Sequence, residues 1–532
     1  MSRSIRTTRT RALVAATLVV ALGALTGCDG GGGKDKDKGA PSGPSGPATS
    51  TSALPGSLTG QQLRWHSCSA PTQAQGGGQA PDAAWECTTL KAPLDYTKPE
   101  GDTIDLALIR TKAKDQKKRI GSLIFNFGGP GGSGIPTLPG FAKDYANLNS
   151  RYDLVSFDPR GVGESEGVRC LDDKELDAYY TVDSSPDDAA EVKTANETNK
   201  KYNDACRQNS GKVLPYVDTV SAARDMDLMR EVLGDKKLYY FGISYGTELG
   251  GVYAHLFPKN VGRSVLDAVV DPTEDPVKGA IGQAKGFQLA LDNYMKDCAK
   301  KGLLCPTGKG GAEGNAKIVA MLKELDRQPL SAGGGRKLTQ DMALTGIASA
   351  LYDQEAWNYL TVGLNEAMRL HKGNTLMLLA DSYNSRDQQG HYGNILAANK
   401  AINCVDDKQR YSTEDVHKQL PAFRSASPVF GEYMAWGMTA CTGWPVEGKT
   451  DHPEVSAQGA APIVVVGNTG DPATPYEGAQ KMAKGLGDGV GIEVTLHGEG
   501  HGGYNSGNAC LTRTVDAYLL DGKVPAAGTS CS

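Results

Sequence analysis

The sequence predicts an α/β protein: a mostly parallel sheet interrupted by an inserted, mostly helical block. Three observations predict it. Short continuous apolar runs recur, as at 121–127 (GSLIFNF), 152–157 (YDLVSF) and 462–467 (PIVVVG), and strands buried on both faces read this way. Helical text alternates with these runs, as parallel sheets with crossover helices require. From about Thr273 to His452 the strand text stops and helical text takes over. The sheet therefore divides into 59–272 and 456–532, with the helical insertion at 273–455.

The N-terminus reads as a targeting segment and is set apart from the fold. Arg3, Arg6, Arg9 and Arg11 form a basic region, followed by an apolar run from Ala12 to Leu25. No two of these arginines are adjacent, which argues against a twin-arginine signal. Leu25-Thr26-Gly27-Cys28 resembles a bacterial lipobox, with 1–27 removed and Cys28 acylated; an ordinary secretory signal is the alternative. Acylation anchors a protein to a membrane without spanning it. Residues 28–58, rich in Gly, Lys, Asp, Pro and Ser, cannot bury enough apolar surface to fold and read as a tether. The expected location is the outer face of the cell membrane, with some protein shed.

Net charge is −5 over 532 residues, so nothing points to a nucleic-acid partner. Setting Cys28 aside, an even number of cysteines remains, which suits disulfides in an oxidising compartment. Neighbour pairing gives Cys68–Cys87, Cys170–Cys206, Cys298–Cys305, Cys404–Cys441 and Cys510–Cys531, though spacing alone does not fix connectivity. No Cys/His grouping has zinc spacing, and the sequence points to no metal and no cofactor. Nothing requires a partner subunit, so a monomer is expected.

Taken in order, strands are expected at Cys87–Tyr96 and Thr103–Arg110, then at 121–127. The third runs into Gly128-Gly129-Pro130-Gly131-Gly132-Ser133-Gly134. That loop lacks the Gly-Lys-Ser/Thr of a phosphate loop. It fits a loop whose bare N–H groups face a developing alkoxide. The strand at 152–157 ends in Asp158-Pro159-Arg160-Gly161, where Asp158 reads as structural. Thr219–Leu233 is an amphipathic helix, with Ala222, Met226, Met229 and Leu233 on one side.

Lys237–Phe241 is a strand, Thr247–Ala254 a helix, and Gly242-Ile243-Ser244-Tyr245-Gly246 joins them. Strand, sharp turn and helix around Gly-x-Ser-x-Gly make a nucleophile elbow. Val261–Val270 is the next strand. Helices are then expected at Ala280–Lys300, Ala316–Leu325, Gln340–Tyr352 and Glu355–His371. After them come a strand at 462–467, another at Gly491–His497 and a closing helix at Val515–Leu520.

A nucleophilic Ser needs a base and a group to orient it. In α/β-hydrolases these follow in the order Ser, acid, His. Asp471 lies just past a strand end, where open α/β sheets place their sites. His501 lies in the Gly-rich loop beyond the last strand and is free to turn between Ser and Asp; His497, at the strand end, competes with it. Asp267 and Asp271 are the runner-up acids. Ser244, His501 and Asp471 then form the triad, with the oxyanion held by Tyr245 N–H and one N–H from Gly128 or Gly129.

These motifs resemble secreted tripeptidyl aminopeptidases, which group with prolyl iminopeptidases among α/β-hydrolase serine peptidases. The resemblance rests on the glycine loop, on Asp-Pro-Arg-Gly-Val-Gly-Glu-Ser at 158–165, on Gly-Ile-Ser-Tyr-Gly-Thr at 242–247, and on Gly-Asp-x-x-Thr-Pro before Gly-His-Gly. The text at 401–407 and 441–445 is similar too. Prolyl iminopeptidases carry a His before Gly-Gly-Pro-Gly, whereas Asn126 and Phe127 stand here, which favours the tripeptidyl branch. The resemblance implies release of short peptides from free N-termini, with an acidic group on the substrate ammonium. Asp353, Glu355, Asp406 and Asp407 are the candidates. A carboxylesterase or lipase with the same triad is the alternative, and a binding lipoprotein with an idle site a third. Ser at the elbow argues against dehalogenase or epoxide hydrolase chemistry, which uses Asp there.

Overall fold

The computed structural model describes residues 53–532. The signal segment, Cys28 and most of the tether lie outside the described residues. The packed chain begins earlier than the 28–58 tether allows. Leu58 is buried in a core cluster and Leu54 packs against the same cluster. Residues before Trp85 also belong to the fold, since the buried Gln75 donates to Asp158.

Ten strands form one sheet: β1 (His66–Ser67), β2 (Trp85–Pro93), β3 (Thr103–Thr111), β4 (Gly121–Asn126), β5 (Tyr152–Phe157), β6 (Leu238–Ile243), β7 (Val261–Asp267), β8 (Ile463–Gly470), β9 (Gly491–Glu499) and β10 (Thr529–Cys531). Their order is β1-β2-β3-β5-β4-β6-β7-β8-β9-β10. The pairings of β1, β2 and β3 up to β5 are antiparallel, and every pairing from β5 onward is parallel. This is the α/β-hydrolase fold. The two edge strands β1 and β10 are too short to show a periodicity in the sequence.

Alternate strand residues feed two cores on opposite faces. Ile124, Val155, Tyr240 and Val465 lie in one, and Leu123, Phe125, Phe241 and Val464 in the other. This alternation is what a fully covered sheet produces from a continuous apolar run. The helix α1 (Ala189–Ser210) and the helix α2 (Thr219–Val232) lie between β5 and β6, and α3 (Tyr245–Leu256) follows β6.

Between β7 and β8 the described chain is almost wholly helical, with one short ribbon pairing Leu330–Ser331 and Lys337–Leu338. It includes α4 (Pro276–Ala299), α5 (Gln340–Leu351), α6 (Ile395–Asp406) and α7 (Gly431–Gly437). The block has a hydrophobic cluster of its own, built on residues such as Phe287, Leu291, Ile347, Leu360 and Phe430. Disulfides join Cys68–Cys87, Cys170–Cys206, Cys298–Cys305, Cys404–Cys441 and Cys510–Cys531. No helix among the described residues is long and apolar enough to cross a membrane.

A buried ion pair fixes the turn after β5. Arg160 is fully buried and grips Asp225 of α2 through Nε and Nη2, both at 2.7 Å. It also donates to the carbonyls of Pro93, Leu94 and Tyr216. Asp158 beside it is structural: it accepts from Ser133, Gln75 and the Glu164 N–H.

Candidate active site

Ser244 stands between β6 and α3 with φ 58 and ψ −126, a strained conformation for a residue with a side chain. Close packing explains the flanking glycines. A Cβ at Gly242 would lie 2.2 Å from Gly246 O, and one at Gly246 2.6 Å from Asn126 O. The turn can only be this tight if both are glycine.

The glycine loop after β4 presses against the elbow. A Cβ on Gly128 would sit 2.8 Å from Ser244 Cβ and 3.2 Å from Tyr245 N. The Gly128 N–H is already given to Asn126 Oδ1 at 3.0 Å. Of the two glycine donors the sequence left open, Gly129 is therefore the one without a competing acceptor among the described residues, and it lines the same cavity as Ser244 and Tyr245. Tyr245 N–H is the first of α3, where no intrahelical acceptor exists.

His501 and Asp471 meet on the loops after β9 and β8. His501 Nδ1 lies 2.9 and 3.0 Å from the two oxygens of Asp471. Asp471 is held by the N–H groups of Ala473, Thr474 and Gly502. The His501 ring meets Tyr352 edge-to-face at 5.1 Å, and its backbone N–H donates to Tyr352 O. Burial pulls the imidazole pKa down, but the charge and hydrogen bond of Asp471 outweigh it, so the pKa stands above the ordinary value. His501 Nε2 is buried and bonds to no described residue. The final approach of such a ring to the nucleophile is commonly completed only in the substrate complex.

The competing residues have other partners. His497 is exposed. Asp267 accepts from the N–H groups of Gly503 and Tyr504 at 2.8 Å each, and so holds the loop that carries His501. Asp271 pairs with Lys481.

Ser244 opens on a cavity of about 620 Å³ between the sheet and the helical block. Of the four carboxylates proposed for an ammonium, Asp406 and Asp407 line it; Asp353 and Glu355 do not. Asp353 is exposed and caps a single helical turn by accepting from Glu355 N. Asp406 accepts from Thr219 N and Oγ1, and Thr219 Oγ1 also meets the Tyr245 hydroxyl at 2.6 Å. Burial, with Asp218 and Glu248 adding their charges, pushes Asp406 well above the carboxylate range.

Glu248 is the residue that sequence reasoning missed. It lies one turn beyond Ser244 on α3 and lines the cavity with Asp406 and Asp407. Burial and the charge of Asp407 push it up to about 7. A signal was present: Glu248 is the one acid in a helix otherwise made of Gly, Leu, Val, Tyr, Ala, Thr and His.

Residues 427–531 match the family model of TAP-like proteins, and residues 121–304 that of the α/β hydrolase fold. Serine protease Hip1 of Mycobacterium tuberculosis is 38% identical over 493 residues, covering 89% of this chain and 91% of the relative. The chain belongs to the TAP-like α/β hydrolases. Carboxylesterase B of the same bacterium is 34% identical over 458 residues, covering 84% of this hydrolase and 86% of the relative. Tripeptidyl aminopeptidase of Streptomyces lividans is 30% identical over 458 residues, covering 84% and 83%. The protein is a serine hydrolase, and its disulfides suit a place outside the cytoplasm.

Proposed function

We propose that this hydrolase is an exopeptidase that releases short peptides, tripeptides foremost, from free N-termini. The observation that carries the reading is the group of three carboxylates, Glu248, Asp406 and Asp407, in the same cavity as Ser244. Crowded, desolvated acids are costly alone, and an incoming ammonium relieves that cost. A neutral ester or lipid would gain nothing from them.

In the mechanism, Ser244 attacks the scissile carbonyl while His501 takes its proton. Asp471 holds the imidazole in the tautomer that presents Nε2, and it stabilises the imidazolium that forms. The N–H groups of Tyr245 and Gly129 receive the oxyanion. His501 returns the proton to the leaving amine. Water then repeats the sequence on the acyl-enzyme, and the peptide leaves with a new carboxylate. The ammonium site sets how many residues reach from the N-terminus to Ser244. Export and anchoring through Cys28 complete the reading.

The test compares chromophore release from free-amine tripeptide anilides, N-acetylated copies and a short-chain aryl ester, using the mature protein and Ser244→Ala. Cleavage of the free-amine anilide, lost on acetylation and in Ser244→Ala, is the expected result. Ester turnover without anilide cleavage would leave an esterase instead.

A further inference from the structure

A second cavity, of about 290 Å³, lies where α1 meets α5, α6 and α7. It shares no lining residue with the Ser244 cavity. Its wall includes a cluster of aromatic rings, Tyr179, Tyr180, Tyr202, Phe430, Tyr433 and Trp436. Into this wall α6 sends Lys400, whose residue is only 7% exposed. The amine donates to Asn199 Oδ1 at 2.6 Å and stands 4.6 Å from the Tyr202 ring and 5.8 Å from that of Trp444. No carboxylate of the described residues pairs with it.

A buried ammonium is normally paired, because losing water without a counter-charge is costly. Ring faces replace only part of that water. Asn199 uses one of the amine's donors and leaves the others for a ligand. We propose that this cavity binds a small aromatic or apolar carboxylate, its flat body among the rings and its carboxylate on Lys400. The ligand would supply the counter-ion that the protein withholds.

The groups around Lys400 decide how binding responds to pH. Burial alone pulls the amine down to about 7. Tyr202 of α1, whose ring the amine faces, and Tyr179, Tyr180 and Tyr433, which also line the cavity, are all raised by burial and stay neutral. Asp341 of α5 accepts from Ser184 N and Ser185 Oγ, and burial raises it. His417 packs edge-on against Trp436. Asp183, lifted by burial to about 7, is the lining acid that titrates in the same range. A carboxylate ligand must therefore recharge Lys400 when it binds above pH 7, and takes up a proton in doing so.

The experiment titrates the mature Ser244→Ala protein calorimetrically with 3-phenylpropionate, 3-phenylpropionamide and 3-phenylpropylamine, from pH 6 to 9. The Ser244→Ala background removes any acyl chemistry, so the outcome is independent of the peptidase reading. The acid should bind at least about tenfold more tightly than the amide or the amine. At pH 8 its binding should take up close to one proton, read from buffers of different ionisation enthalpy. Lys400→Met should abolish the preference for the acid, and Asp183→Asn should keep it. Equal binding of the three probes, binding of none, or acid binding at pH 8 without proton uptake would overturn the proposal. These three outcomes need no variant at Lys400 and hold even if Lys400→Met fails to fold.

Discussion

Glu248 shows how one side chain can separate two chemistries that share a triad. Replacing it by Gln keeps its shape and removes a charge. For free-amine peptides, Glu248→Gln should raise KM by roughly 30- to 150-fold, about 2–3 kcal/mol of lost pairing, with kcat on an aryl ester little changed. The sign of the pH dependence follows from its pKa. Glu248 is protonated below about pH 7 in the free enzyme, so KM for a free-amine peptide should fall as pH rises through that value. That limb should be absent in Glu248→Gln and for an aryl ester, which carries no ammonium. The limb due to His501, which must be neutral to act as a base, should persist in both. Steady-state profiles of kcat/KM and kcat check each point. At this scale the sequence was legible wherever a residue type is dictated by local geometry. Gly242, Ser244 and Gly246 announce the elbow because nothing larger fits there. Glu248 and Lys400 were not legible, because their burial arises from chain distant in sequence, such as Asp407 and Asn199, and leaves only a stray charge in apolar text.

Helix α6 separates the two cavities and also supports the glycine loop. Asn403 and Asp406 line the Ser244 cavity, while Leu396 and Lys400 line the second. Asn399 Nδ2 donates to Pro130 O at 3.1 Å, and a Cβ on Gly131 would lie 2.5 Å from Ile395 O. The helix therefore buttresses the loop that carries Gly129. Cys404–Cys441 ties its C-terminal half down across 37 residues of chain. The double variant Cys404→Ser, Cys441→Ser should lose about 3–4 kcal/mol of stability on the loop-entropy estimate, seen as a lower denaturation midpoint. It should also lower kcat on both peptide and ester, because the oxyanion loop loosens for every substrate. This element could not be outlined from sequence. Its apolar stripe is short, and Asn, Lys and Cys occupy positions that face inward only because two cavities lie on either side. The helices at 340–351 and 357–370, whose inner faces meet one continuous core, were predicted to within a few residues.

On the scale of the molecule, the sheet was readable because fully covered parallel strands leave runs that no surface element imitates. The antiparallel edge was harder, since β1 has two residues and the chain before Trp85 packs through scattered contacts, with Leu58 in the core and Gln75 on Asp158, that leave no period. Arg160 ties the end of β2 to α2 through Pro93 O, Leu94 O and Asp225. Arg160→Met would leave Asp225 buried without its counter-charge, held only by the Tyr96 hydroxyl, and should cost about 3–5 kcal/mol, lowering the thermal midpoint by several degrees. Differential scanning calorimetry measures this, and activity at low temperature should survive it.

The five disulfides also have a topological meaning. Each closes within one stretch of chain: two precede β7, two lie in the helical block and one follows β8. None crosses from one stretch to another. A protease that cut once at 268–275 and once at the exposed 447–452 would therefore leave three covalently independent polypeptides. They would stay together through non-covalent contacts alone: the hydrogen-bonded edge between β7 and β8, contacts such as Asp267 with Gly503 and Asn399 with Pro130, and hydrophobic packing. Such a nicked molecule would run as one particle in native buffer and as three bands in detergent without any reductant.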